Sequence, residues 1–307
     1  MVPGPNAGLA GNFPALNHLV SFCQQDTFHN TDLRLGSVPM SQVYRVTSLA
    51  KLRSAAPWRH ATLHSHPRPQ LFWFTRGQGR FSIGAVTRGY GPNTVVFIPA
   101  STMMSLELST QVQGELLELP LDPTLNLPRV PFHVRVTSVE AQSQFSGYLD
   151  KIEQELAARA VSWDEALRAY GLLVSVWVAR QLAIHDGTIL RDRTHILAEK
   201  YATLVERGFR TGKGVADYAE QLGVTPTHLS RICRDASGRP ALAILQERIV
   251  HEACLMLVDS DMAARDIASE LGFSSAAYFT RAFSKLTGRT PSDFRKLPPA
   301  QQILISG

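Results

Sequence analysis

Residues 214–234, GVADYAEQLGVTPTHLSRICR, decide how this chain is read. From Val215 to Leu222 the apolar positions Ala216, Tyr218, Ala219 and Leu222 recur at helical spacing, which predicts a short amphipathic helix. Gly223 stands where a helix end can take positive φ. Thr225 is then a good N-cap, and Pro226 falls at the first helical position, where a missing N–H costs nothing. The helix that follows places Leu229, Ile232 and Cys233 on one side, with Arg231 and Arg234 outside. A helix, a glycine turn and a capped second helix form a unit able to lay its second helix in a DNA major groove.

The pattern recurs in 262–289, MAARDIASELGFSSAAYFTRAFSKLTGR. A helix over 262–271 carries Ile267, Ala268 and Leu271, and Gly272-Phe273 makes the turn. Ser274, 49 positions after Thr225, is expected to cap the second helix. Tyr278, Phe279, Ala282, Phe283 and Leu286 form its expected core stripe, and Arg281, Lys285 and Arg289 its outer face. Between the two units a helix over 240–258 carries Leu242, Leu245, Ile249, Ala253 and Met256. At ~1.5 Å per residue such a rod approaches the ~34 Å of one DNA turn, so two recognition helices can enter successive grooves.

Upstream the pattern changes. Gly, Pro and Asn dominate 1–30, which reads as irregular. Short β-branched and aromatic runs follow at 42–46, 71–75, 80–83, 94–98, 104–108, 113–119 and 132–137, separated by turn signals. They predict a small antiparallel barrel or sandwich. Two helices follow, at 144–160 and from Ser162 to about 184, and the stretch 170–178 is apolar nearly all round, which calls for cover from its own sheet or from a second subunit. The expected class is α+β and multidomain. Its parts are an irregular segment 1–30, a barrel 31–137, a helical connector or dimerisation region 138–185, a linker 186–194 and an all-α domain 195–297.

Bulk properties add limits. The net charge is +5, but residues 192–307 hold 15 Lys and Arg against 13 Asp and Glu, so the excess is not concentrated in the helical third and pattern must carry the argument. Cys23, Cys233 and Cys254 lack paired spacing and read as reduced thiols in a cytoplasmic protein. The N-terminus lacks a signal-peptide pattern, and no run of ~18 apolar residues predicts a membrane span.

Residues 196–296 resemble the DNA-binding domain of the AraC/XylS transcription regulators. The resemblance is carried by 227–231 (THLSR), 248–253 (RIVHEA), 266–268 (DIA), 271–273 (LGF), 277–283 (AYFTRAF) and 288–295 (GRTPSDFR). It implies that Thr225, Thr227, His228, Ser230, Arg231 and Arg234 on the first unit, and Ser275, Ala276, Ala277, Arg281, Lys285 and Arg289 on the second, approach double-stranded promoter DNA. It also implies a cytoplasmic, nucleoid-associated homodimer that engages RNA polymerase. Ala276 and Ala277 are too short to hydrogen-bond a base, so the second unit is expected to add affinity and bending more than sequence readout. A bland alternative for Arg231 and Arg281 is pairing with a helix carboxylate.

His64 and His66 precede Gln70 and the aromatic run at 71–74. In a strand, residues two apart share a face, so both imidazoles are expected to point into the barrel. The segment resembles the first cupin motif, with Gln70 in place of an acid and Met103-Met104 in place of a later histidine. That set suits a divalent ion poorly, so no metal and no cofactor are expected. The resemblance implies a degenerate cupin holding an organic effector, with His64, His66, Gln70 and Arg80 as polar contacts and Phe72 and Phe74 as apolar wall. Residues 69–77 are similar to those of activators of aromatic-acid catabolism, such as 4-hydroxybenzoate activators. Two other readings stay open: a cupin metalloenzyme fused to a DNA-binding domain, and a regulator without a ligand.

Overall fold

The computed structural model describes residues 44–55, 57–184 and 193–298. The segment 1–30, residues 42–43 of the first expected strand, linker residues 186–192 and Cys23 lie outside them.

Among the described residues eight strands form two antiparallel sheets. They are β1 (Arg45–Ser48), β2 (Gln70–Arg76), β3 (Gly79–Ile83), β4 (Val86–Tyr90), β5 (Thr94–Ile98), β6 (Met104–Glu107), β7 (Gln113–Glu118) and β8 (Phe132–Arg135). The larger sheet has the order β1-β7-β2-β5-β8 and the smaller β4-β3-β6. Strand β4 was missed in the sequence: its VTRGY pairs with β3 across a tight turn and shows no clean alternation. Two short helices, α1 (Leu49–Ala55) and α2 (Trp58–Ala61), were missed as well.

The larger sheet is buried on both faces, which is why β2 and β5 read as continuous apolar runs. Phe72, Phe74, Val96, Ile98 and Leu116 face Phe81, Met104 and Leu106 of the smaller sheet. The other face, with Leu71, Trp73, Val95, Phe97 and Leu117, is covered by α3 (Val139–Ala158) and α4 (Trp163–Ile184). Phe145 of α3 is the keystone of that layer. It stacks on Trp177 with ring centroids 4.3 Å apart and meets Trp73 edge-on at 5.8 Å.

Helix α4 is long and apolar enough, by length and composition alone, to cross a membrane, which the sequence reading did not expect. Its Leu167, Val174, Trp177 and Val178 are spent on the sheet, while Leu172, Leu173 and Val176 remain more than 40% exposed.

The carboxy-terminal part is all helix: α5 (Arg193–Gly208), α6 (Val215–Gln221), α7 (Pro226–Ser237), α8 (Ala241–Asp259), α9 (Ala264–Glu270), α10 (Ala276–Thr287) and α11 (Pro291–Lys296). Its core is continuous with Trp58, Leu63, Ala85, Val86 and Met103 of the sheet region.

Replacing Phe145 by alanine removes the ring joining helices to sheet and should cost about 3–5 kcal/mol, measured as a lower urea midpoint with the slope unchanged.

Candidate nucleic-acid interface

Local chemistry builds both helix-turn-helix units. Gly223 and Gly272 turn with φ of +68° and +75°. The oxygen of Thr225 accepts from the His228 N–H at 3.2 Å and caps α7, with Pro226 at its first position. In the second unit the cap is Ser275, not the expected Ser274: its oxygen accepts from the Tyr278 N–H at 3.2 Å, and α10 starts at Ala276.

Helix α7 buries Leu229, Ile232, Cys233 and Ala236. Thr225, Thr227, His228, Arg231 and Arg234 are exposed and Ser230 half-buried. Helix α10 buries Phe279 and Phe283 and leaves Ser275, Ala276, Ala277, Arg281 and Lys285 exposed, with Arg289 exposed beyond its end. Tyr278, expected in the core, is 51% exposed. It leans on Phe273 at 5.8 Å, because it precedes the inward position taken by Phe279. Among the described residues no ion pair engages Arg231, Arg234, Arg281, Lys285 or Arg289, so the bland pairing with a helix carboxylate does not occur. Arg231 instead reaches the His228 ring at 3.2 Å.

Helix α8 joins the units and is packed on several sides, burying Ile244, Leu245, Arg248, Val250, His251, Cys254 and Leu257. A buried arginine needs partners. Arg248 grips Glu206 of α5 through Nε at 2.7 Å and Nη2 at 3.0 Å, and Glu252 through Nη1 at 2.9 Å. Its guanidinium also lies over the Phe209 ring at 3.9 Å. Cys233 and Cys254 are buried free thiols, and burial pushes Cys233 up to about 12.

A helix-turn-helix domain family matches residues 218–297, covering the end of α6 through α11. The carboxy-terminal helices thus carry a helix-turn-helix domain similar to those of AraC/XylS-family regulators. The arabinose operon regulatory protein of Salmonella typhimurium is 31% identical over 146 residues, 46% of this chain and 52% of that protein. The probable transcription factor PqrA of Proteus vulgaris is 40% identical over 78 residues, 25% of this chain and 64% of that protein. The chain thus spans less than two thirds of the length of these curated relatives. A fatty-acid-bound ToxT structure from Vibrio cholerae superposes with a TM-score of 0.40 at 12% identity, covering 82% of this chain and 94% of that one.

In the sheet region ahead of the helix-turn-helix domain, the expected effector residues divide. Phe72 and Phe74 face inward, and Phe74 stacks on Tyr90 at 3.9 Å. Gln70 shares their face. Its amide donates to Glu118, leaving Oε1 buried with no partner among the described residues. His66 donates from Nε2 to Glu118 Oε1 at 3.0 Å, and Arg45 reaches Oε2 at 3.4 Å. Burial alone would raise the Glu118 carboxyl, but the hydrogen bond and charge of His66, with Arg45 and Gln70 behind it, hold it below the usual range.

His64 corrects the expectation that both imidazoles enter the barrel. The strand begins at Gln70, and His64 makes only an isolated bridge with Met104. Its ring stacks on His251 of α8, 4.8 Å away and 17° from parallel. Arg80 is exposed, on the face of β3 opposite Phe81, so it does not reach the interior. Glu118, Arg45 and His251 were invisible as partners in the sequence, because distant elements assemble them. Among the described residues no three His, Cys, Asp or Glu side chains are grouped to hold a metal.

Substituting Arg248 by alanine takes the buried cation from Glu206, which keeps only the Ser65 hydroxyl, and leaves Glu252 to Arg210 alone. The expected loss is about 3–5 kcal/mol, read by chemical denaturation, with Arg248→Lys only partly restoring it.

Proposed function

We propose that this chain is a cytoplasmic, nucleoid-associated transcription regulator that binds double-stranded promoter DNA through both helix-turn-helix units. The observation that carries this reading is that α7 and α10, each capped and packed on one core, turn basic side chains without ion pairs to solvent. Thr225, Thr227, His228, Ser230, Arg231 and Arg234 form the first contact set. Ser275, Ala276, Ala277, Arg281, Lys285 and Arg289 form the second. Arginine can bridge O6 and N7 of guanine, and lysine suits phosphate. With a 19-residue α8 between them, about 28 Å long, the two helices suit successive grooves.

The reading divides the chain as the sequence does, into an effector-binding part at 31–137, a connector at 138–185 and the DNA-binding part at 195–297. It assigns the role of activator, controlled by a small organic effector of the aromatic-acid class held between the sheets near Phe72, Phe74, Gln70 and His66. Supporting a switch, one strap joins the two parts: Leu63 N–H donates to Glu247 at 3.1 Å, Ser65 to Glu206 at 2.6 Å, and His66 to Glu118. A ligand acts through such a strap only by binding one arrangement better than another. Homodimerisation through the exposed Leu172, Leu173 and Val176 of α4 and contact with RNA polymerase complete the proposal.

Fluorescence anisotropy on promoter DNA tests it. Arg231→Ala should weaken binding and relax one base position by about 1–3 kcal/mol. Lys285→Ala should weaken all sequences alike and shallow the salt dependence. Wild-type binding by both Arg231→Ala and Arg281→Ala would overturn the readout assignment. Separately, a panel of aromatic acids should shift affinity for the promoter or its transcription, and no shift across the panel would remove the ligand switch.

A further inference from the structure

The contact between the sheet region and α8 is built around two stacked imidazoles whose hydrogens can be assigned. The Thr62 hydroxyl donates to Trp58 O at 2.7 Å, so its oxygen, 2.6 Å from His251 Nδ1, accepts from that ring. The Thr62 carbonyl accepts from His64 Nδ1 at 2.8 Å. One residue therefore orients both rings, and each carries a hydrogen on Nδ1. Trp58 closes the stack on the His251 side at 5.3 Å.

The surroundings oppose a positive charge there. From α2 come Arg59 and His60, from the strap His66, and from α8 Arg248. The nearby carboxylates are already engaged: Glu206 and Glu252 by Arg248, Asp259 by Arg59 at 2.6 Å, and Glu247 by Arg239 at 3.5 Å and by the Leu63 N–H. Glu107 at the end of β6 adds only to the raising of Glu247 that burial begins.

We infer that the His64–His251 stack is a proton-operated latch, closed while both rings are neutral and opened by acid, which sets how firmly the sheet region holds the helix joining the two DNA-reading units. Burial pushes His64 down to about 4 and His251 well below its ordinary range. The sign follows from linkage. A ring released to solvent binds its proton near pH 6.5, whereas the closed ring does not. The closed seam is therefore favoured in full above about pH 6.5 and loses ground as the pH falls towards about 4. Between pH 7.5 and 5.5 the open-to-closed ratio should rise about tenfold per ring, or about a hundredfold for the pair.

Hydrogen exchange of the full chain at pH 7.5, 6.5 and 5.5, corrected for intrinsic rates, reads the latch at the amides of 62–66, with β2 and β5 as internal reference. The wild type should open about a hundredfold more at the lowest pH while the reference strands hold. In His64→Asn/His251→Asn the side-chain amide can still donate to Thr62 but takes up no proton, so the response should vanish. Each single variant should lose about one factor of ten, and these carry the test if the double variant does not fold. A flat wild-type profile, or a double variant that loosens as the wild type does, overturns the latch.

Discussion

Helix α8 is the constraint on which the other parts depend. It has to satisfy both helix-turn-helix units and the sheet region at once, so apolar residues alone cannot line it. The solution is a buried arginine and a buried histidine among leucines, isoleucine and alanines. Arg248 keeps its charge because two carboxylates and an aromatic face replace its water. His251 gives its charge up, first because burial strips its water and then because its neighbours are another imidazole and cations. The same helix thus holds one group permanently charged and one neutral, according to which partners each side supplies.

The two recognition helices are alike in scaffold and unlike in what they offer. Both have hydroxyl caps, and both are closed by a glycine in the left-handed region, Gly238 and Gly288. Helix α7 then exposes hydroxyl, imidazole and guanidinium groups near its start, whereas α10 exposes two alanines and a half-exposed tyrosine before its arginine. A short side chain lets backbone come close to a duplex and reads little, so the asymmetry separates discrimination from grip.

Legibility followed the range of the interactions. The carboxy-terminal units could be read from sequence because caps, glycine turns and helical stripes are local signals, and the remaining error at Ser275 is one residue along a serine pair. The larger sheet was legible from its apolar runs. Strand β4 was not, since pairing to β3 rather than composition makes VTRGY a strand. His64 was misplaced for a similar reason. Alternation applies only within a strand, and the segment ahead of Gln70 is held by α5 and α8, more than 140 positions away. Tyr278 misled because an aromatic beside a core phenylalanine reads as core until the helix is given its rotation.

The seam also bears on biosynthesis. Thr62 and His251 are 189 positions apart, and Arg59 and Asp259 are 200 apart. A growing polypeptide therefore displays Trp58 and the His64 ring, without their covering helix, until about 200 further residues have left the ribosome. Domains tend to fold as they emerge, and surface bared for that long invites mispairing or chaperone capture. The mixture of imidazole, hydroxyl and guanidinium groups around a single tryptophan keeps that nascent face wettable in a way that a purely aliphatic seam would not.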